Sequence, residues 1–286
     1  MTNISERSKE QGRWNQYGTR QVEEILKNPG KYVIRKSPIS WLAASGEIMR
    51  LLSPLEGKRV LELGCGFGRF SVFLAQQGAS VTGVDIGPNL VAASNALAKV
   101  NQVDCKFQTA NIVSLPFESK TYDIVIGIAV LHHLSKPDVS KALSEAYRVL
   151  NEAGQAIFLE PVENSKIFDF IQNLVPVGKK GSGRYRPSIL QREAWDEYIR
   201  SLDDRSMTNR ELVSEGKKHF QSVRISPYGF LIRLTRLIGK NHRQTLQRLD
   251  EVIFRIIPPL GWLSRTVLVE YRKVGRVPSA DLPLVR

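Results

Sequence analysis

Cysteine is almost missing from this chain. Its 286 residues include two, Cys65 and Cys105, too few for a disulfide framework, and a reducing compartment is expected. Histidine is nearly as sparse, four in all, and neither residue type recurs at the spacing of metal ligands, so no metal site is expected. No apolar run approaches the roughly 18 residues that a spanning helix needs, and the opening residues 1–7 lack a charged-then-apolar leader. Both absences point to a cytoplasmic location. Internal repeats, low-complexity tracts, a phosphate loop and a nucleophile elbow are likewise absent. Acidic residues fall short of basic ones, 28 against 41, which gives a formal net charge of +13. The deficit is local: residues 162–286 carry 23 Lys and Arg against 13 Asp and Glu, leaving 18 against 15 for residues 1–161. The first part is nearly neutral, and the basic second part calls for an anionic substrate, a membrane surface, nucleic acid or simply solubility.

What is present centres on one stretch. An apolar strand, residues 59–63, contains Glu62 and runs into Gly64-Cys65-Gly66-Phe67-Gly68. Glycines at this spacing let the backbone turn tightly and approach a ligand. A second apolar run, residues 79–84, ends in Asp85, where a carboxylate at a strand tip can hold a ribose diol. The glycines are one residue tighter than the G-x-G-x-x-G of dinucleotide sites, and a carboxylate precedes them. A negative charge there would repel a pyrophosphate and suits a cationic ligand.

With Ala110-Asn111, Tyr122-Asp123-Ile124-Val125 and the segment 148–154, these residues resemble the class I S-adenosylmethionine-dependent methyltransferases over residues 58–161, most closely the branch that includes the ubiquinone and menaquinone biosynthesis enzymes. The resemblance implies that Glu62 and Gly64 line the amino-acid end of S-adenosylmethionine, that Gly66 and Gly68 allow its close approach, and that Cys65 belongs to the same cofactor-binding loop. It further implies that Asp85 binds both ribose hydroxyls, Ile86 packs on the adenine, Ala110, Asn111 and Ile112 meet the adenine edge, and Ile128 and Ala129 complete the pocket. That family has Asp where this chain has Asn111; an amide can still accept a hydrogen bond from an amine.

The element pattern alternates helices 68–77, 89–100 and 138–150 with strands 59–63, 80–85, 105–108, 122–130 and 155–160. Continuous apolar strands of this kind require a parallel sheet covered on both faces. The expected fold is α/β: a Rossmann-like, seven-stranded, mostly parallel sheet, with strands at 220–226 and 266–271 added in order and the last antiparallel by analogy with the family. Expected parts are an N-terminal helical lid (1–57), the cofactor-binding core (58–161), a substrate-side loop, helices and sixth strand (162–227), an amphipathic helical insertion (228–265), the last strand (266–274) and a disordered tail (275–286). The lid includes helices at 20–27 and 40–52; the resemblance implies that Trp14 and Tyr17 are its aromatic contacts with ligand, with packing against the neighbouring sheet as the alternative. Residues 175–187 read as a basic loop and 188–202 and 209–216 as helices.

After the fourth strand, Leu131-His132-His133-Leu134 occupies the place where the family presents substrate-facing groups. His132 or His133 could serve as general base, since imidazole titrates near neutrality. The Asn/Asp-Pro-Pro-aromatic and Pro-Cys motifs of base-modifying enzymes are missing there, which disfavours nucleic acid. The resemblance thus implies a small, lipophilic or lipid-linked acceptor, with RNA methylation and a non-catalytic partner subunit as the competing readings. In the insertion, two helices with apolar stripes edged by Arg and Lys suit either a lid or an anionic membrane surface, a peripheral location. Nothing in the sequence sets the oligomeric state.

Overall fold

The computed structural model describes residues 4–40, 42–163, 170, 174, 187–201, 207–231 and 243–273. Seven strands form one sheet: β1 (Arg59–Leu63), β2 (Ser80–Asp85), β3 (Cys105–Thr109), β4 (Tyr122–Ile128), β5 (Leu150–Pro161), β6 (Ser222–Tyr228) and β7 (Thr266–Arg272). Their order is β3-β2-β1-β4-β5-β7-β6; the first five are parallel, and β7 runs antiparallel to both β5 and β6. This is the expected sheet, with its antiparallel end.

Residue alternation gives the central strands two buried faces, whereas β3 and β6 at the sheet edges bury neither fully. On one face Leu61, Leu63, Ala156 and Phe158 pack with Ala142, Leu143 and Ala146 of helix α5 (Lys136–Val149). On the other, Val60, Ile157 and Leu159 meet Ile48 and Leu52 of α2 (Ser45–Leu52) and Phe70 and Leu74 of α3 (Arg69–Gln76). Helix α4 (Pro88–Asn101) contributes Ala93 and Leu97 to a third cluster with Ile25 of α1 (Ile4–Lys27). The chain leaves β1 toward β2 and β3 and returns on the other side as β4. The strand order therefore reverses between β1 and β4, where a parallel sheet opens a crevice at its C-terminal end.

Several bounds differ from the sequence pattern. Helix α1 spans 24 residues where the pattern indicated only 20–27. Its Gly18 lies against α4, where a Cβ would stand 2.5 Å from the backbone of Asn89 and Leu90; the residue that interrupts the helical pattern is the one that lets two helices touch. Asn89 Nδ2 donates to Asn15 O and Thr19 Oγ1, fixing the same contact. Strand β5 begins at Leu150, five residues before the expected start at 155, and carries an irregularity, with Tyr122 opposite Leu150 but Ile124 opposite Gln155. Helix α2 starts at Ser45, after turns over 38–40 and 42–44.

Helices α6 (Arg192–Ser201) and α7 (Asn209–Gly216) precede β6, and α8 (Arg243–Ile256) lies between β6 and β7. The first of the two helices expected in the insertion, the basic loop and the tail lie outside the described residues, as does Trp41. Among the described residues no helix is long and apolar enough to cross a membrane.

Candidate cofactor and acceptor site

At the C-terminal end of β1, β2 and β4 is a cavity lined by Gly64 and Gly66, Asp85, Ile86 and Leu90, Ala110, Asn111 and Ile112, Ala129, Val130, His133 and Leu134, and by Trp14 and Tyr17 of α1. The chain brings these together by topology. Each parallel strand ends at the same edge, and the loop that follows it delivers one or two residues.

The glycine loop is held by Asp85. Its Oδ2 accepts from Gly66 N and its Oδ1 from Gly87 N, both at 2.9 Å. A carboxylate offers about four acceptor positions, so these two bonds do not exhaust it. Asp85 is 8% exposed. Burial pushes its carboxyl up from the ordinary range, opposed by the amides of Gly87, Gly66 and Ile86 and by nearby His133. Gly64 and Gly66 both adopt positive φ, 67° and 56°. A Cβ on Gly66 would meet no protein atom within 4 Å, so this glycine leaves its side of the cavity open for a ligand.

Glu62 is placed elsewhere. It is 5% exposed and does not line the cavity; Ser71 Oγ of α3 donates to its Oε2 at 2.5 Å. Burial raises its carboxyl to about 8, and repulsion from Asp85 adds to this, so it is largely neutral at pH 7. A neutral carboxyl facing α3 does not supply the negative charge that the loop's sequence suggested. Cys65 is buried, its thiol pushed up by burial, and with Gly68 and Ile128 it also lies outside the lining.

The two histidines separate. They sit in a 3-10 turn, Leu131–His133, with ring centroids 4.1 Å apart. His133 lines the cavity and stands edge-on to Trp14 at 5.9 Å. His132 is buried, and its Nδ1 lies 2.9 Å from Glu160 Oε2. Glu160, fully buried at the end of β5, also accepts from Val130 N at 2.9 Å and Leu131 N at 2.8 Å through Oε1. It pins a turn whose entry, Ala129, has φ 55°, an uncommon conformation for a residue with a Cβ. Sequence reading missed Glu160, although a carboxylate closing the apolar run Ala156-Ile157-Phe158-Leu159 is the same signal that marked Asp85. Leu90 was missed as well, being an ordinary apolar residue whose place depends on topology, whereas Val130 and Leu134 lie in the stretch after the fourth strand that was expected to face substrate.

Beyond the tip of β3, Asn111 Oδ1 accepts from Val113 N at 3.2 Å, which orients the amide. Tyr17 stands edge-on to Phe67 at 6.2 Å and to Trp14 at 6.3 Å, so the aromatic residues of α1 reach the glycine loop. Among the described residues the lining contains no Lys or Arg. A pyrophosphate would require such partners or a free helix N-terminus; a sulfonium and an ammonium do not. The buried carboxylate of Asp85, the apolar residues Ile86, Leu90 and Ile112 and a lining without Lys or Arg fit S-adenosylmethionine.

A family profile described as a methyltransferase domain matches residues 61–158. A ubiquinone biosynthesis O-methyltransferase of Pseudomonas savastanoi pv. phaseolicola is 30% identical over 192 residues, covering 64% of this chain and 80% of the relative. The chain belongs to the class I S-adenosylmethionine-dependent methyltransferases. A protein of the same description from Coxiella burnetii is 30% identical over 157 residues, 52% of this chain and 66% of the relative's length, so the chain spans just under two thirds of that methyltransferase. Among solved structures, a Pyrococcus horikoshii protein superposes with a TM-score of 0.57 at 18% identity, covering 85% of this methyltransferase chain and 95% of its own. Geranyl diphosphate C-methyltransferase from Streptomyces coelicolor, in complex with Mg2+, geranyl-S-thiolodiphosphate and S-adenosyl-L-homocysteine, gives 0.53 at 14% identity, covering 81% and 76%. These likenesses show the fold.

Proposed function

We propose that this chain methylates a hydroxyl group on a small, largely apolar molecule, using S-adenosylmethionine. The observation that carries the proposal is the cavity beside Asp85, where a buried carboxylate retains acceptor capacity in a lining without cationic residues. When bound, the cofactor supplies an electrophilic methyl on a positively charged sulfur. Asp85 would orient it through both ribose hydroxyls, and Trp14 and Tyr17 would exclude water from above. Ala129, Val130, Leu134 and Trp14 provide an apolar setting for the acceptor, and His133 is the titratable group facing it. His133 would take the hydroxyl proton as the oxygen–methyl bond forms and the sulfur–methyl bond breaks. The hydroxyl acceptor and its apolar character are supported by the names of the two relatives, both O-methyltransferases of ubiquinone biosynthesis.

Mass spectrometry of ligand released from gently unfolded protein tests the cofactor. S-adenosylmethionine or S-adenosylhomocysteine is expected, and NAD(P) would overturn the reading. Calorimetry with S-adenosylhomocysteine tests the site: Asp85→Ala should weaken binding by about 2 kcal/mol or more, roughly 30-fold, because it removes charge-assisted hydrogen bonds from a buried diol. Unchanged affinity in a folded variant would remove Asp85 from the role.

A further inference from the structure

The large hydrophobic residues that reach solvent are concentrated in one place. Among the described residues eleven are exposed, and five of them, Leu249, Val252, Ile256, Ile257 and Trp262, fall within the fourteen positions 249–262. Helix α8 accounts for three. Leu246 and Asp250 are buried, Ile253 and Phe254 half-buried, Asp250 Oδ1 accepts from Leu231 N at 2.6 Å just past β6, and Phe254 lies 6.3 Å from Phe230. That is the face turned to the protein. Leu249, Val252 and Ile256, spaced i, i+3, i+7, form a second apolar line along the helix and are 46%, 52% and 71% exposed. The single stripe that the sequence suggested is thus split: Leu246 and Ile253 go inward, Leu249 and Ile256 outward. Past Val252 around the helix come exposed Arg255 and Arg248, with exposed Glu251 farther round toward Phe254. Trp262, 45% exposed, follows in the 3-10 turn Pro258–Leu263.

Topology decides which end of the molecule carries this surface. Tyr228 at the end of β6 pairs with Thr266, and Thr266 pairs with Pro161 at the end of β5. The described parts of the β6–β7 connection, helix α8 and the 3-10 turn after it, therefore lie at the C-terminal end of the parallel strands, the end at which the cavity opens.

We propose that this connection is a docking surface for an anionic lipid bilayer, with Leu249, Val252, Ile256 and Trp262 entering the interfacial region and Arg248 and Arg255 meeting lipid phosphates. Apolar insertion and attraction of basic residues to an anionic leaflet reinforce each other. The excess of basic residues in 162–286, 23 against 13, acts in the same direction at longer range. A second copy of the chain fits less well. In a twofold contact through this patch, the same arginines would crowd one another, whereas lipid phosphates neutralise them. The proposal is independent of the acceptor, since vesicle binding is read without catalysis. Together with the proposed acceptor chemistry, it would deliver apolar molecules to the cavity from the bilayer.

Co-sedimentation of the full chain with phosphatidylcholine vesicles, with and without about a third phosphatidylglycerol, tests it. The expected result is partitioning at least tenfold stronger onto the anionic vesicles, falling steeply as salt is raised. Arg248→Glu with Arg255→Glu should lower it tenfold or more, and so should Leu249→Ser with Ile256→Ser. All four side chains are exposed, and unchanged thermal unfolding would confirm intact folding of the variants. Equal recovery of wild type and both double variants in the unbound fraction at low salt would overturn the proposal. So would vesicle binding that neither pair of substitutions alters. Sedimentation equilibrium provides the other refutation: self-association lost in the Leu249→Ser/Ile256→Ser variant, without vesicle binding by wild type, would assign the face to a second copy.

Discussion

Glu62→Gln isolates the physics of the glycine loop, because it removes a titratable proton while keeping shape and the acceptor for Ser71. In the folded chain burial holds the Glu62 carboxyl near 8, against an ordinary 4.5. Between those values the folded state keeps a proton that the unfolded chain has released. Stability must then fall as pH rises, by about 1.4 kcal/mol per unit while the difference persists, and level off above the folded value. The full span corresponds to about 5 kcal/mol, comparable with the whole stability of many domains. Asp85, also pushed up by burial, slopes the same way. Comparing wild type with Glu62→Gln at each pH subtracts that background.

The assay is thermal unfolding of ligand-free protein from pH 5 to pH 8.5. Glu62→Gln should be close to wild type at pH 5 and progressively more stable above it. At about 2 °C per kcal/mol for a chain of this size, the gap should widen by roughly 10 °C. Ser71→Ala should carry the decline to higher pH before it levels off, since the Ser71 hydroxyl is the strongest influence holding the carboxyl down. Parallel curves for wild type and Glu62→Gln would refute the reasoning and mean that Glu62 is ionised in the folded chain, returning it to the part of a negative partner for a cationic ligand.

Three further outcomes follow from the same geometry. Glu160→Ala strands the amides of Val130 and Leu131 and the His132 ring in a buried turn, and should cost about 3 kcal/mol or more in denaturant unfolding; a loss below about 1 kcal/mol would mean that water satisfies them. Gly18→Leu drives a Cβ to 2.5 Å from the α4 backbone, so α1 should lift away: tenfold weaker binding of S-adenosylhomocysteine and faster tryptic cleavage at exposed Arg20 are expected, and normal affinity would show that α1 is no part of the site. With an acceptor in hand, His133→Gln should lower turnover about 100-fold and abolish the acidic limb of the pH–rate profile, whereas His132→Gln, acting only through the turn, should leave that limb in place.

The sheet and the position of the cofactor crevice were legible because they depend on short-range signals: apolar runs of strand length, a glycine turn, a carboxylate at the next strand tip. The side chains that long-range contacts orient were harder. His132 and His133 are neighbours with the same chemistry, and what separates them is Glu160, 28 residues later, which claims one ring and the turn's amides and leaves the other facing the cavity. Glu62 could have been placed from strand parity alone. Leu61 and Leu63 face the α5 side, so Glu62 and Val60 face α3, and Ser71 is where its carboxyl goes. The long α1 was read only over 20–27, and Gly18, a residue of low helical propensity, lies inside the helix as a contact surface against α4. In α8 the apolar pattern was visible but its division was not. Period alone cannot say that Leu246 and Ile253 seal the protein while Leu249 and Ile256 stand in solvent, because the width of an apolar stripe records how much surface must be covered and not by what. A stripe wider than the protein beneath it leaves apolar surface uncovered, and the proposed bilayer contact draws its charge from the arginines beside that stripe and its place, at the cavity end of the sheet, from the register at Thr266.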